Sequence, residues 1–398
     1  MIFDLVFEGG GAKGMAFVGA LQVMEERQHT YGRLMGTSAG SIMATFLAAG
    51  YSAGEMLNAL NEKDALGEPV FKKFMAKPRS FTREEVDASA TRRLLRAIDL
   101  RSIPNLVEDR FDSLILNMMT RDQFSNLFSF IERGGWYSAD TFLDWARRKL
   151  NEGTFTNHRR RMADLTLVDF YEQTGKDLTL IAADTSDQRL LVLNHHTAPD
   201  VPVVWAMRMS MSVPLLWQEV IWQYEWGLYM NRDLTGHCVV DGGLLSNFPI
   251  ELFLSNDPYI HQQMGPKSKA EVLGFLIDES LPVPEARSTP DENAPADLSI
   301  LPVTSRIKSL VDTTTQARDK MVIDAFEQYV CRLPAMGYGT TEFNMSDKRR
   351  DILIRAGRRA TEMYFEAAQL EGMLTPDIRE MERALSHADQ IARNIFKP

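Results

Sequence analysis

A serine between two glycines, Gly36-Thr37-Ser38-Ala39-Gly40, lies shortly after a glycine-rich loop, Gly9-Gly10-Gly11-Ala12-Lys13-Gly14. The pattern Gly-x-Ser-x-Gly puts a serine on a tight strand-to-helix turn. The small neighbours Gly36 and Gly40 let the backbone bend and leave the hydroxyl accessible. A glycine loop can offer backbone N–H groups to an oxyanion, because glycine adopts positive φ and lets other groups approach the chain closely. Either motif alone is weak. Together, in this order, they point to acyl transfer from an ester through a serine nucleophile.

Two other readings of the loop fail. Gly9, Gly11 and Gly14 also fit the dinucleotide fingerprint, which expects an acidic residue at the end of the second strand, about twenty residues on. That strand ends here in Gly36-Thr37-Ser38, without a carboxylate. A phosphate-binding P-loop needs Ser or Thr after its lysine, and Lys13 is followed by Gly14.

A serine nucleophile needs a base. Of the seven histidines, only His261 and His387 lie beyond residue 241, one in a loop-like stretch and one inside a helical pattern. Neither suits the late histidine of an α/β-hydrolase. The alternative is Asp241, at the end of an apolar run and followed by Gly242 and Gly243. Asp-Gly-Gly alone reads as a turn. Behind a glycine loop and an elbow, it reads as a catalytic acid with bulk kept away.

These three motifs, in this order, resemble the patatin-like phospholipases, lipid acyl hydrolases with a Ser–Asp dyad. The resemblance is supported by Ser210-Met211-Ser212-Val213-Pro214, by Leu180 to Thr185 as a central strand, and by Gly337 to Phe343 further on. It implies that Ser38 attacks the ester and Asp241 takes its proton. It also implies an oxyanion hole drawn from Gly9, Gly10, Gly11, Gly14 and Ala39, with no cofactor and no metal. A free aspartate is a poor base at neutral pH, and desolvation would correct that. Headgroup and acyl position are not specified. A small-ester hydrolase, an acyltransferase, and a silent lipid- or partner-binding scaffold stay open, as does a protein or small-molecule activator. Lys13 is open between a lipid-phosphate contact and the commoner solvated loop residue.

The elements that must position these residues are legible nearby. Ile2–Phe7 reads as a buried strand, and Phe17, Leu21 and Met24 as one face of a helix. Tyr31–Met35 reads as a second strand, and Ala39–Ala49 as a buried helix stopped by Gly50. The expected architecture is a three-layer α/β fold with a central, mostly parallel sheet. Residues 1–278 form the catalytic domain, with 65–135 a helical insertion and possible lid hinged at Gly134-Gly135. Residues 279–299 form a proline-rich linker, and 300–398 a helical region docked on the body.

Inside the insertion, Phe111, Leu114, Ile115 and Met118, then Phe124, Leu127, Phe128 and Ile131, read as apolar helix faces. Leu353, Ala356, Ala360, Met363 and Ala367 read as a stripe. Ile378, Met381, Leu385, Ala388, Ala392 and Ile395 read as a short heptad seam after a Thr375 cap. The aromatics from Val220 to Tyr229 alternate as in a strand. His158-Arg159-Arg160-Arg161 reads as a solvated loop.

A net charge of −10 argues against nucleic acid as a partner. Cys238 and Cys331, the two cysteines, do not make a disulfide framework. No apolar run is long enough to span a bilayer, and the first strand leaves no room for a signal peptide. The expected setting is cytoplasmic or peripheral, with a lipid substrate at a membrane surface.

Overall fold

Alternating apolar residues build the sheet from the first strand on. In β1 (Ile2–Phe7), Leu5 and Phe7 belong to one core and Val6 to a second on the opposite face. The same split separates Leu34 from Met35 in β2 (Thr30–Thr37), and Leu180 and Ala182 from Ile181 in β3 (Leu178–Asp184). This is the two-residue period of extended chain. Strands covered on both faces are apolar almost throughout, which is why β3 is buried end to end. The computed structural model describes residues 1–97, 117–119, 121, 124–285, 326–371, 386 and 388–393.

The sheet has eight strands. β4 (Arg189–Leu193), β5 (Val220–Ile221) and β6 (Cys238–Asp241) lie at one end, and β7 (Glu271–Asp278) and β8 (Val330–Pro334) at the other. β8, β7, β1, β2 and β3 pair in parallel in that order, while β4 and β6 pair antiparallel with β3, and β5 with β6. Helices α1 (Met15–Glu26), α2 (Ala39–Ala48), α3 (Val203–Ser210) and α4 (Asp347–Glu371) cover the first face. Glu251–Leu254, Pro258–Met264, Ala388 and Ala392 cover the second. The result is three layers, mixed but parallel at the centre. None of the described helices is long and apolar enough to cross a membrane.

Several expected elements differ. The aromatic run forms only the short β5 and a tight turn at Tyr224–Trp226. Trp222, Trp226 and Tyr229 are buried there, so tertiary packing rather than strand pairing places them. On the helix Ser125–Glu132 the expected stripe is split: Phe128 is buried, whereas Leu127 and Ile131 are exposed. Phe111 to Ile115 lie outside the described residues. The stripe of α4 holds at Leu353 and Ala356, which are buried, and then turns, with Gly357, Thr361 and Phe365 inward and Met363 and Ala367 exposed.

The cause of that turn is a close crossing. A Cβ at Gly357 would stand 2.2 Å from the Ala16 carbonyl oxygen, and one at Gly19 would stand 2.0 Å from that of Ile354. α4 therefore presents its smallest residue to α1. Residues 286–299 and most of the heptad seam, with its cap, lie outside the described residues. Strand β8 gives the C-terminal region a share in the sheet that its helical periodicity did not reveal. Gly135 pairs with Leu215, and a Cβ there would meet the Trp217 backbone at 2.1 Å. Close approach, rather than free rotation, accounts for this glycine.

Candidate active site

Strand β3 has two edges, and their occupants bring the serine and the aspartate together. β4 fills one edge from Leu180 to Asp184. On the other, β2 pairs with Leu178 to Ile181, and β6 arrives from the opposite direction to pair with Ala182 to Asp184. Thr37 is level with Ile181 and Asp241 with Ala182. The residue after Thr37 is Ser38, so this serine and Asp241 meet head to head along one edge.

Ser38 sits at φ 53° and ψ −121°, an uncommon conformation for a residue with a side chain. Its surroundings hold it there. Its N–H donates to Ser210 Oγ at 3.0 Å, and Ser210 Oγ donates to the Ile181 carbonyl at 2.6 Å. A Cβ at Gly36 would lie 2.1 Å from the Gly40 carbonyl oxygen, and one at Gly40 would lie 2.2 Å from that of Phe7. Both elbow glycines answer to packing. The glycine loop touches the elbow at two points: Gly9 faces Ser38 Cβ, and Gly14 faces Ala39 Cβ, at 3.0 and 3.1 Å from their ideal Cβ positions.

Asp241 is buried, and its N–H donates to the Ser212 carbonyl at 2.9 Å. Oδ1 accepts the Gly243 N–H at 2.8 Å. Oδ2 meets no donor in bonding geometry, although the Ser38 hydroxyl is near enough to favour the charged form. Burial outweighs both donors and pushes the carboxyl up to about 7, where it can act as a general base. Gly242 lies across the strand beneath it, because a Cβ there would stand 2.5 Å from the Ile181 carbonyl oxygen.

The N–H groups of Gly10, Gly11 and Ala39 have no acceptor among the described residues. Gly9 N–H is turned to the Asn247 carbonyl at 3.3 Å, and Gly14 closes the 3-10 turn that leads into α1. Of the five residues expected around the oxyanion, Gly10, Gly11 and Ala39 thus have N–H groups unpaired among the described residues, while Gly9 and Gly14 shape the loop. The N-terminus of α2 adds its dipole beside Ser38.

Residues not singled out in the sequence complete the site. Asn247 Nδ2 donates to Glu8 Oε1 at 3.0 Å and to the Gly9 carbonyl at 2.9 Å, tying the Asp-Gly-Gly turn to the glycine loop. Glu8 Oε2 accepts the Ile277 N–H at 2.5 Å. A carboxylate closing an apolar strand was the available signal for Glu8; Asn247 gave none. Arg208 is buried beside Ser212 Oγ and the Gln218 carbonyl, and burial lowers its pKa to about 10.

Other expectations fall elsewhere. Lys13 is buried and ion-paired with Glu279 rather than solvated. Arg160 is buried too, donating to the Ala49 and Gly50 carbonyls at 3.0 and 2.8 Å, so the basic run is only partly a solvated loop. His261 lies on a short helix, its Nε2 3.1 Å from the Ser255 carbonyl. His387 lies outside the described residues. Among the described residues, Asp184, Asp187 and His237 have ligand-like spacing. Protein groups already occupy them: Asp184 accepts two backbone N–H groups and lies 2.9 Å from His237, while Asp187 pairs with Arg189 and Arg232. An apolar cleft opens beside Gly11, Gly14 and Ala39, walled by Ile42, Phe71 and Phe343.

The model of the family described as Patatin-like phospholipase matches residues 5–254. The uncharacterized protein YqhO of Bacillus subtilis (strain 168) is 29% identical over 92% of this chain and 99% of its own length. A probable lipid hydrolase of Invertebrate iridescent virus 6 is 20% identical over 62% of each chain. Among solved structures, VipD from Legionella pneumophila aligns over 98% of this chain and 74% of its own, at 15% identity and a TM-score of 0.43. That last likeness is too loose to carry an argument.

Proposed function

The chain belongs to the patatin-like phospholipase family, and on that premise we propose that it hydrolyses fatty-acyl esters of phospholipids or other glycerolipids through a Ser38–Asp241 dyad. The observation that carries this reading is the meeting of Ser38, held at a positive φ that side-chain residues seldom adopt, with a buried carboxylate whose Oδ2 has no donor in bonding geometry. Ser38 Oγ attacks the ester carbonyl while Asp241 takes its proton. The N–H groups of Gly10, Gly11 and Ala39 receive the oxyanion. Asp241 then returns the proton to the departing alcohol, and water repeats the sequence on the acyl-enzyme. No step in this scheme requires a metal.

The insertion at 65–135 is proposed as the part that meets lipid. Leu127 and Ile131, one helical turn apart on Ser125–Glu132, are exposed, as a face that enters a membrane interface would be. The test is mass spectrometry of products from mixed phospholipid and neutral glycerolipid vesicles, wild type against Ser38→Ala. Free fatty acid with the matching lyso-lipid or partial glyceride, released only by wild type, is expected. Equal release by Ser38→Ala would overturn the reading.

A further inference from the structure

The family match ends at residue 254, yet the glycine loop leans on a segment well beyond it. Ala12 N–H donates to the Thr340 carbonyl at 2.9 Å. Gly11, at φ 54°, is so close that a Cβ would stand 2.2 Å from the same oxygen. With Ala12 N–H taken, the neighbouring N–H groups of Gly10 and Gly11 are left without an acceptor among the described residues.

The segment around Thr340 is itself clamped. Arg349 is buried and forks onto Glu342, Nε to Oε1 at 2.5 Å and Nη2 to Oε2 at 3.2 Å. Its Nη2 also donates to the Gly337 carbonyl, and Glu342 Oε2 accepts the Gly339 N–H at 3.0 Å. The guanidinium lies over the Tyr338 ring at 3.9 Å, and the Tyr338 hydroxyl donates to the Arg349 carbonyl at 2.9 Å. Thr340 lies in the chain between two of the clamped residues, Gly339 and Glu342. A buried two-pronged pair fixes geometry more tightly than a single bond can. Phe343 and Met345, from the same segment, line the cleft beside Gly11 and Ala39.

We propose that Glu342 and Arg349 are positioning residues for catalysis: they hold the Thr340 carbonyl on Ala12 and so keep Gly10 and Gly11 aimed at the developing oxyanion. The inference rests on the hydrolase reading above. The double variant Glu342→Leu/Arg349→Leu removes the clamp without leaving one buried charge unpaired. Thr340→Gly is a milder second variant that keeps the carbonyl and removes its side-chain packing on Gly11. Leu254→Ala, in the core on the opposite face, serves as a destabilised control.

Each protein is assayed on a water-soluble p-nitrophenyl ester, titrated with a fatty-acyl trifluoromethyl ketone, whose serine adduct carries an oxyanion, and melted. For the double variant, kcat is expected to fall on the order of 10²-fold, as for a misplaced catalytic group, with KM changed by less than about twofold. Ketone affinity falls by a similar factor, Thr340→Gly falls between, and the control keeps both quantities. Variants that melt lower but keep kcat and ketone affinity overturn the inference, as does a control that loses both equally. Should the double variant not fold, Thr340→Gly decides by the same readouts. A wild type that neither turns over ester nor binds the ketone sinks the hydrolase reading itself; an active wild type with unaffected variants sinks this inference alone.

Discussion

In the proposed mechanism Asp241 has to be ionised to accept the serine proton, and burial raises its carboxyl to about 7. The quantity kcat/KM is therefore expected to fall about tenfold per pH unit below that value and to level off above it. The same shift has a sign in stability. The folded state holds this proton more tightly than the unfolded chain, whose carboxyl titrates near 3.8. Its contribution is complete below about pH 4 and is lost as the pH rises through about 7. Asp241→Asn should then melt above wild type at pH 8, with the gap shrinking towards pH 4, while activity disappears. A gap that does not change with pH would mean the carboxyl is not raised. If Ser38 and Asp241 act as a unit, as proposed, Ser38→Ala, Asp241→Asn and the double variant should lose activity to about the same residual level. Additive losses would mean separate roles. Activity should also survive dialysis against EDTA; loss restored by a divalent cation would redirect attention to Asp184, Asp187 and His237.

At the scale of elements, the local motifs were legible because each is written in consecutive residues: strand, glycine loop, helix, then strand, elbow, helix. The head-to-head approach of β2 and β6 on one edge of β3 was not, since pairing between residues 37, 181 and 241 leaves no local trace. Nor was Asn247, or the contact of Thr340 within the named segment Gly337 to Phe343, since each serves the glycine loop through a backbone contact or an amide that any loop can carry. The exposed Leu127 shows the opposite case, where periodicity implied one apolar face that the fold splits, burying Phe128 and leaving Leu127 and Ile131 outside. The same geometry separates two adjacent glycines. A Cβ at Gly242 meets the Ile181 carbonyl oxygen at 2.5 Å, whereas one at Gly243 meets only side-chain atoms, Asn247 Oδ1 at 2.9 Å and Asp241 Oδ1 at 3.1 Å. Gly242→Ala should thus displace the aspartate and cost roughly 10²-fold in kcat, with Gly243→Ala much milder. Equal effects, measured on folded protein, would refute the crossing over β3 as the reason for the motif.

For the whole molecule, the question is whether the first 278 residues, which hold Ser38 and Asp241, fold without the rest. Two features argue that they do not. β8 covers the outer edge of β7, and α4 lies along α1, the helix that grows out of the glycine loop. The C-terminal region itself adds buried apolar side chains to the body, among them Val330, Leu333, Ile352, Leu353, Ile354 and Phe365. Burying a large apolar side chain is worth about 1.5–3 kcal/mol, so these six supply roughly 9–18 kcal/mol. This is a gross gain, from which the entropy of ordering the segment must be taken, and a chain without the segment has none of it. Its loss would also uncover the apolar face of α1 and leave β7 as an open edge prone to pairing with other chains. A chain ending at residue 278 is accordingly expected to aggregate or remain unfolded, with no cooperative melt by circular dichroism and no esterase activity. The full chain should melt in one transition that carries both halves. A soluble, cooperatively folded 1–278 fragment that retains turnover would show that the dyad and its loop need nothing beyond the first seven strands of the sheet, and would remove the support for Glu342 and Arg349 as well.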